Sequence, residues 1–169
     1  MDTFFEQIIS IKKTGKTIAG IIGILFLALI ICFVIFIFSG YLGSFAFLLM
    51  LGVGYGAFKL ICQFNVEYEY IVTNGTMDID KILNRSSRKR ILSFELSTVS
   101  RLEKYNKGLI SNINPKDVVF ACNETDDSYL MVYQKEGKSA VYVVFAPNDK
   151  IKNAIVKFLP KFIANSAFK

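Results

Sequence analysis

The chain of 169 residues contains no histidine. Histidine is the commonest general base of enzymes and the commonest protein ligand of zinc, so its absence removes both uses. Serine and threonine are present, but no histidine activates them, and no glycine-rich phosphate loop occurs after residue 62. We therefore expect a protein that is not an enzyme and that has no catalytic residue, no cofactor and no metal site.

Cysteine is scarce, and its spacing carries no signal of a site. The three cysteines are Cys32, Cys62 and Cys122, an odd number without the close spacing of metal ligands. Such a set does not indicate a disulfide framework, and reduced, buried thiols are the expectation.

Charge is missing from residues 17 to 58, where no Asp, Glu, Lys or Arg occurs. Turn-forming residues at 39–44 divide this run into two apolar stretches of about 20 residues, the length that crosses a hydrocarbon core of about 30 Å as a helix. The sequence predicts a transmembrane helical hairpin over 17–62, with spans at about 17–38 and 43–62. The protein is then integral to the lipid bilayer.

Lysines flank one end of this predicted hairpin. Lys12, Lys13 and Lys16 precede the first span and Lys59 ends the second, whereas the connection between the spans is uncharged. Lys and Arg favour the cytoplasmic side of a membrane. We expect a two-span protein of the cell membrane with both termini in the cytoplasm, which agrees with reduced thiols.

Small residues recur four apart within each predicted span, at Ala19 and Gly23 and at Gly52 and Gly56. Helices in lipid pack closely where small side chains let their backbones approach. Gly23 and Gly56 lie at similar depth, so we predict that they face each other. The alternative is that the same faces bring two copies together as a homo-oligomer.

Residues 1–16 are predicted to form an interfacial amphipathic segment. Phe4, Phe5, Ile8 and Ile9 are followed by basic residues, a pattern typical of a short helix that lies along the lipid headgroups. The alternative is a continuation of the first span.

The pattern changes again after the hairpin, where a cytoplasmic domain is predicted over 63–169. Apolar and polar residues alternate as in half-buried strands, and Asn74-Gly75 is a strong hairpin turn. Pro147 is expected in the first turn of a closing helix, which Pro160 should kink or end. The predicted strands cover 66–73, 76–83, 89–94, 98–104, 118–122, 129–134 and 139–145. The apolar stripe of the helix comprises Ile151, Ile155, Phe158, Leu159, Phe162 and Ile163.

Two pairs of carboxylates alternate with the apolar residues of the first strands. Glu67 and Glu69 are two apart, and so are Asp78 and Asp80. Residues two apart in a strand point to the same face. We expect both pairs on the solvent face, rather than at a metal site.

Three stretches together resemble the bacterial PH-like membrane proteins: Tyr68-x-Tyr70-Ile71-Val72-Thr73-Asn74-Gly75, the basic Arg88-Lys89-Arg90, and Ile91-x-x-Phe94-x-Leu96-x-x-Val99. That family also places a two-span hairpin before a pleckstrin-homology-like domain. The resemblance implies an α+β membrane protein in which a two-helix transmembrane hairpin precedes a seven-stranded antiparallel PH-like barrel with a C-terminal amphipathic helix. It implies no catalysis.

Five basic residues lie within ten positions, at Lys81, Arg85, Arg88, Lys89 and Arg90. Near a membrane each could contribute about 1 kcal/mol through anionic lipid headgroups, or the cluster could contact a protein partner. The alternative is a solvated turn whose charges protect a strand edge. No Lys/Arg stripe interleaves with exposed aromatics, so the net charge of +6 does not predict nucleic-acid binding.

These expectations favour a membrane-anchored, non-catalytic binding or scaffold module that faces the cytoplasm and meets a protein partner that the sequence does not identify. The alternative is an accessory subunit of a membrane transporter or complex that acts through its transmembrane hairpin.

Overall fold

The computed structural model describes residues 3–123, 127–134 and 139–168. The chain divides into two compact units. The β unit comprises Met1–Ile11, Glu67–Ile82 and Ser86–Lys169, and the helical unit comprises Lys12–Val66 and Leu83–Arg85.

The helical unit contains the two predicted apolar helices. Helix α1 spans Gly15–Ile37, a short α2 spans Ser39–Leu42, and α3 spans Phe45–Cys62. Both α1 and α3 are long and apolar enough to cross a membrane, and they pack against each other. All of α1 is described and none of it is buried, while Ala46 is the one buried residue of α3. These apolar side chains therefore do not form the core of a water-soluble domain.

Eight strands of the described residues form two sheets of four. The first sheet has the order β1-β2-β3-β4, and the second has the order β5-β7-β8-β6. The strands are β1 Phe4–Ser10, β2 Val66–Thr73, β3 Thr76–Leu83, β4 Ser87–Glu95, β5 Val99–Lys104, β6 Val118–Phe120, β7 Tyr129–Gln134 and β8 Ala140–Phe145. Short 3-10 turns occupy Leu96–Thr98, Lys107–Ile110 and Pro115–Asp117.

The prediction of a seven-stranded antiparallel barrel is therefore wrong. The described sheets are not closed, the first contains the additional strand β1, and β6 pairs with β8 in parallel, with Val118 opposite Tyr142. Alternation of apolar and polar residues reveals that a segment is a strand, but it carries no information on the direction of its neighbour. Strand β7 lies antiparallel on one side of β8, and β6 lies parallel on the other side.

The N-terminal segment is strand β1, and the prediction of a short helix there is wrong. It pairs antiparallel with β2 from Phe4 opposite Thr73 to Ser10 opposite Glu67. Its apolar residues fit a helical period, but their partner strand follows more than fifty positions later, beyond any local sequence window. Residues 11–66 lie between the paired residues Ser10 and Glu67 and are thus an insertion in a β-hairpin, at the place where a turn of two residues would join the strands.

Polar side chains fix β1 and β2 to the start of the C-terminal helix. Gln7 donates its Nε2 to the carbonyl of Ala146 at 3.2 Å, and its Oε1 accepts from the backbone of Asn148 at 2.7 Å. The hydroxyl of Tyr70 donates to the carbonyl of Ala121 at 2.7 Å and accepts from the backbone of Ala146. Burial raises the pKa of Tyr70, so this hydroxyl stays a donor.

The C-terminal helix begins and ends at residues that explain its bounds. Asn148 caps α4, Asp149–Phe158, by accepting from the backbone of Ile151 at 2.9 Å, so Pro147 precedes the cap instead of lying in the first turn. Pro160 ends the regular helix, as predicted, and α5 follows at Lys161–Ala164.

Most of the predicted apolar stripe packs into the core between the sheets. Ile151, Ile155, Leu159 and Ile163 are buried there and Phe158 packs against them, whereas Phe162 is 72% exposed. Phe162 was therefore wrongly placed in the stripe, because the break at Pro160 interrupts the period on which the stripe depends.

Prediction: replacing residues 11–66 by Asn-Gly yields a soluble, folded β unit. Ser10 and Glu67 are opposite partners, and a two-residue turn of this sequence joins such partners. We expect a cooperative urea transition followed by circular dichroism. A fragment that begins at Gln63 is the control, because it lacks β1 and leaves the edge of β2 uncovered. Equal stability of the two proteins would contradict the assigned role of β1.

Candidate lipid or partner contact site

The predicted basic cluster is divided between the two units. Arg85 lies in the turn between β3 and β4 and belongs to the helical unit. Lys81 in β3 and Arg88, Lys89 and Arg90 in β4 belong to the β unit. The five charges therefore do not form one surface within either unit.

The turn that carries Arg85 is held against the chain that leaves α3. Asn84 and Arg85 have positive φ values of 50° and 56°. The backbone of Asn84 donates to the carbonyl of Asn65 at 2.8 Å, and the side chain of Asn65 donates to that of Asn84 at 3.4 Å. Asn65 follows closely on Cys62, the last residue of α3. Arg85 is thereby fixed near the end of an apolar helix.

This position brings Arg85 into the unit that contains the flanking lysines. Lys12, Lys13, Lys16 and Lys59 belong to the helical unit, and all are exposed. The Nζ of Lys59 lies 5.6 Å from the ring centre of Tyr55. Basic side chains and a tyrosine ring at the end of apolar helices are typical of the membrane–water interface.

Two arginines of the cluster form ion pairs with carboxylates of the first sheet. Arg88 Nη2 lies 2.9 Å from Glu69 Oε1. Arg90 contacts Asp80 Oδ1 through Nε at 3.0 Å and Asp78 Oδ2 through Nη1 at 3.1 Å. Hydrogen bonds of this kind between charged groups are stronger than neutral ones. These two guanidinium groups are thus engaged within the sheet.

The expectation that both carboxylate pairs face solvent is wrong for Glu69 and Asp80. The side chain of Glu69 is fully buried, and that of Asp80 is 5% exposed. A buried carboxylate needs a partner, and the arginines supply it. One feature of the sequence could have predicted these ion pairs. Strands β2 and β3 carry Glu and Asp and β4 carries Arg-Lys-Arg, and opposite charges on adjacent strands stabilise each other.

The pKa values of these groups reflect their surroundings. Burial raises the pKa of Glu69 most, a side-chain hydrogen bond with Glu6 raises it further, and Arg88 opposes both. The hydrogen bond to Asp80 and the charge of Asp78 raise the pKa of Arg90, which stays a cation at every physiological pH.

Lys81 and Lys89 have a different environment from the arginines. Lys89 is exposed and Lys81 is half-buried. The part of the chain that the structure describes shows no ion pair for either lysine. Of the four residues of the predicted cluster that lie in the β unit, these two keep their charge available at the surface.

The predicted contact between Gly23 and Gly56 is wrong. A Cβ atom added at Gly23, Gly52 or Gly56 would meet no heavy atom of the chain within 4 Å, so the backbones do not approach there. The glycine that lies against a neighbour is Gly20, where an added Cβ would be 3.4 Å from Phe64 Cζ. Equal depth along two helices does not determine which faces meet.

No metal centre is apparent in residues 3–123, 127–134 and 139–168. Within these ranges no group of three or more His, Cys, Asp or Glu residues could hold a metal ion. The carboxylates of Glu69, Asp78 and Asp80 in the first sheet contact arginines instead.

Comparison with known proteins identifies one family. The model of a family described as "Bacterial PH-like domain (DUF6106)" matches residues 1–165. The match includes β1, both apolar helices and both sheets. No curated protein and no solved structure matches the chain.

Prediction: Arg88→Ser lowers the free energy of unfolding by about 1–3 kcal/mol, because it leaves the buried Glu69 without its cation. Lys89→Ser on the same strand is the matched control, with an expected change within about 0.5 kcal/mol. Pulse proteolysis of the full chain in detergent and urea measures both. Equal losses for the two variants would show that the ion pair does not stabilise the sheet.

Proposed function

Because the chain belongs to the bacterial PH-like domain family, we propose that it is a membrane-anchored, non-catalytic binding or scaffold module whose β unit faces the cytoplasm. The observation that supports this proposal most is the insertion of two exposed apolar helices between the paired strands β1 and β2. PH-like domains generally bind rather than catalyse, and the family membership extends that expectation to this chain.

Membrane anchoring is supported by the exposure of the helices. Leu25, Phe26, Leu29, Phe33 and Phe36 of α1 are each more than half exposed. Soluble proteins rarely expose so large an apolar surface. An α-helix satisfies its own backbone hydrogen bonds, so α1 and α3 meet the requirements of a hydrocarbon core by both composition and backbone.

The pairing of β1 with β2 supports an orientation with both ends on one side. Two strands in one sheet cannot lie on opposite sides of a bilayer, so the inserted segment must cross an even number of times. The basic residues Lys12, Lys13, Lys16, Lys59 and Arg85 lie in the helical unit, and the positive-inside rule assigns that side to the cytoplasm.

We assign contact with anionic lipid headgroups to Arg85 and the flanking lysines, rather than to Arg88 and Arg90. The two arginines of β4 are bound to Glu69, Asp78 and Asp80, which offset their charge. Arg85 is assigned to the lipid contact by its position, because it belongs to the helical unit and its turn is held beside the exit of α3. Each basic group close to the surface contributes about 1 kcal/mol to such contacts.

An accessory subunit that acts through its hairpin is the second candidate. It is favoured by the open space around Gly23, Gly52 and Gly56, since small residues on a lipid-facing helix allow close approach of another helix. A transporter helix or a second copy of this chain would fit this description equally.

Prediction: the partner is retained by the β unit and not by the hairpin. Three tagged proteins are compared in affinity purification from native membranes: the full chain, the variant with Asn-Gly in place of 11–66, and residues 12–65 alone. If the protein is a scaffold module, the partner is purified with the full chain and with the variant that has Asn-Gly in place of 11–66. Retention by residues 12–65 alone would instead support the accessory subunit.

Prediction: Arg85→Ser lowers the association of spin-labelled phosphatidylglycerol with the full chain about fivefold, the equivalent of about 1 kcal/mol. Electron paramagnetic resonance in phosphatidylcholine vesicles measures this association. Arg101→Ser is the control, because Arg101 lies in β5 of the β unit and not in the helical unit. An unchanged association for Arg85→Ser, or an equal loss for Arg101→Ser, would remove Arg85 from the lipid contact.

A further inference from the structure

The seam between β1 and β2 brings two carboxylates together. Glu6 lies opposite Ile71, and Glu69 lies opposite Ile8, so the two glutamates are diagonal neighbours on one face of the strand pair. Long side chains in this relation reach each other. Glu6 is exposed, whereas Glu69 is fully buried, and this burial and the neighbouring Glu6 raise the pKa of Glu69.

The two carboxylate oxygens of Glu69 have different surroundings. Oε1 accepts from Arg88 at 2.9 Å, whereas Oε2 is buried and has no hydrogen-bond partner within the residues that the structure describes. The other charged group that affects Glu69 is Asp80 of β3. Glu69 therefore has the carboxylates of Glu6 and Asp80 as neighbours and Arg88 as its cation, while Arg90 contacts Asp80.

We propose that Glu6 and Glu69 share one proton, and that this proton fastens the N-terminal strand to the β unit. The proton is carried on Oε2 of Glu69, which donates to the carboxylate of Glu6, while Oε1 accepts from Arg88. Two neighbouring carboxylates that are both ionised repel each other, and a single shared proton removes this repulsion.

The balance of charges at Glu69 agrees with a retained proton. Burial and the neighbouring Glu6 and Asp80 raise its pKa, and only Arg88, whose side chain is 55% exposed, acts in the opposite direction. Because the pKa is higher when β1 is docked than when it is released, the proton stabilises docking fully below the ordinary pKa of glutamate. That stabilisation is lost as the pH rises through the raised pKa.

The consequence is a pH-dependent attachment of β1. In the window between the ordinary and the raised pKa, the opening constant of the strand grows by up to about tenfold for each pH unit, and it is constant above that window. Acidification therefore tightens the attachment of β1 to β2, and alkalinisation loosens it. This inference does not depend on the identity of any partner.

The experiment is amide hydrogen exchange of the peptide over residues 3–10 in the full chain in lipid nanodiscs, measured between about pH 5 and pH 9 so that it extends above the ordinary pKa of glutamate. Rates are corrected for the intrinsic pH dependence of exchange. Peptides from β7 serve as the internal reference. We expect protection of β1 to fall with rising pH by up to about tenfold per unit, while β7 does not change.

Glu6→Gln separates the shared proton from a general effect of pH. The side-chain amide introduced at position 6 can donate a hydrogen bond to ionised Glu69, so no shared proton is needed. Strand β1 should then stay protected at high pH. Glu67→Gln is the matched control on the same seam, where Glu67 accepts from Ser10 Oγ at 3.0 Å, and it should keep the pH dependence of the natural chain. Carbon-13 detection of the Glu69 carboxyl provides a second reading that does not depend on strand opening. A pH-independent β1 in the natural chain, an unchanged pH dependence in Glu6→Gln, or an ordinary titration of Glu69 would each overturn the proposal.

Discussion

The structure depends on the pairing of seven residues before the first apolar helix with the strand that follows the second. Ser10 opposite Glu67 closes this pair, and the entire helical hairpin is the connection between them. The pairing makes the apolar insertion part of the sheet's own topology instead of an appended anchor. It also requires that both ends of the insertion lie on the same side of any membrane that α1 and α3 cross.

Charge within the first sheet serves structure more than recognition. The side chains of Glu69 and Asp80 are buried, although the alternation of residues in their strands predicts that they face solvent. Arg88 and Arg90 offset their negative charges. A concentration of arginine in sequence is therefore not equivalent to an electropositive surface. Arg85 differs from the other four basic residues of the cluster in its place in the chain. Its turn is hydrogen-bonded to the segment that follows α3, and it belongs to the helical unit.

Local physics determined the elements that could be predicted. Asn74 and Gly75 have positive φ values of 48° and 90°, so the dipeptide forms the hairpin turn that its composition predicts, and Pro160 ends α4 because its ring cannot continue the helix. Lack of charge likewise predicted both apolar helices.

The features that were missed depend on distant partners. Strand β1 acquires its conformation from β2, the parallel direction of β6 depends on β7 and β8, and the burial of Glu69 depends on Arg88 in another strand. The contact predicted between Gly23 and Gly56 failed for the same reason, since helix rotation is set by the whole interface. A single sequence shows periods and turns, but not which surfaces meet.

The most direct test of the account is the side of the membrane on which three positions lie. In a variant without the native cysteines, Ser10→Cys, Tyr41→Cys and Asn165→Cys are labelled one at a time on intact cells with a membrane-impermeant thiol reagent. Tyr41 lies in the connection between α1 and α3 and is 93% exposed. The account predicts that only Cys at position 41 reacts from outside, and that positions 10 and 165 react together after permeabilisation. Labelling of positions 10 and 165 from opposite sides would contradict it.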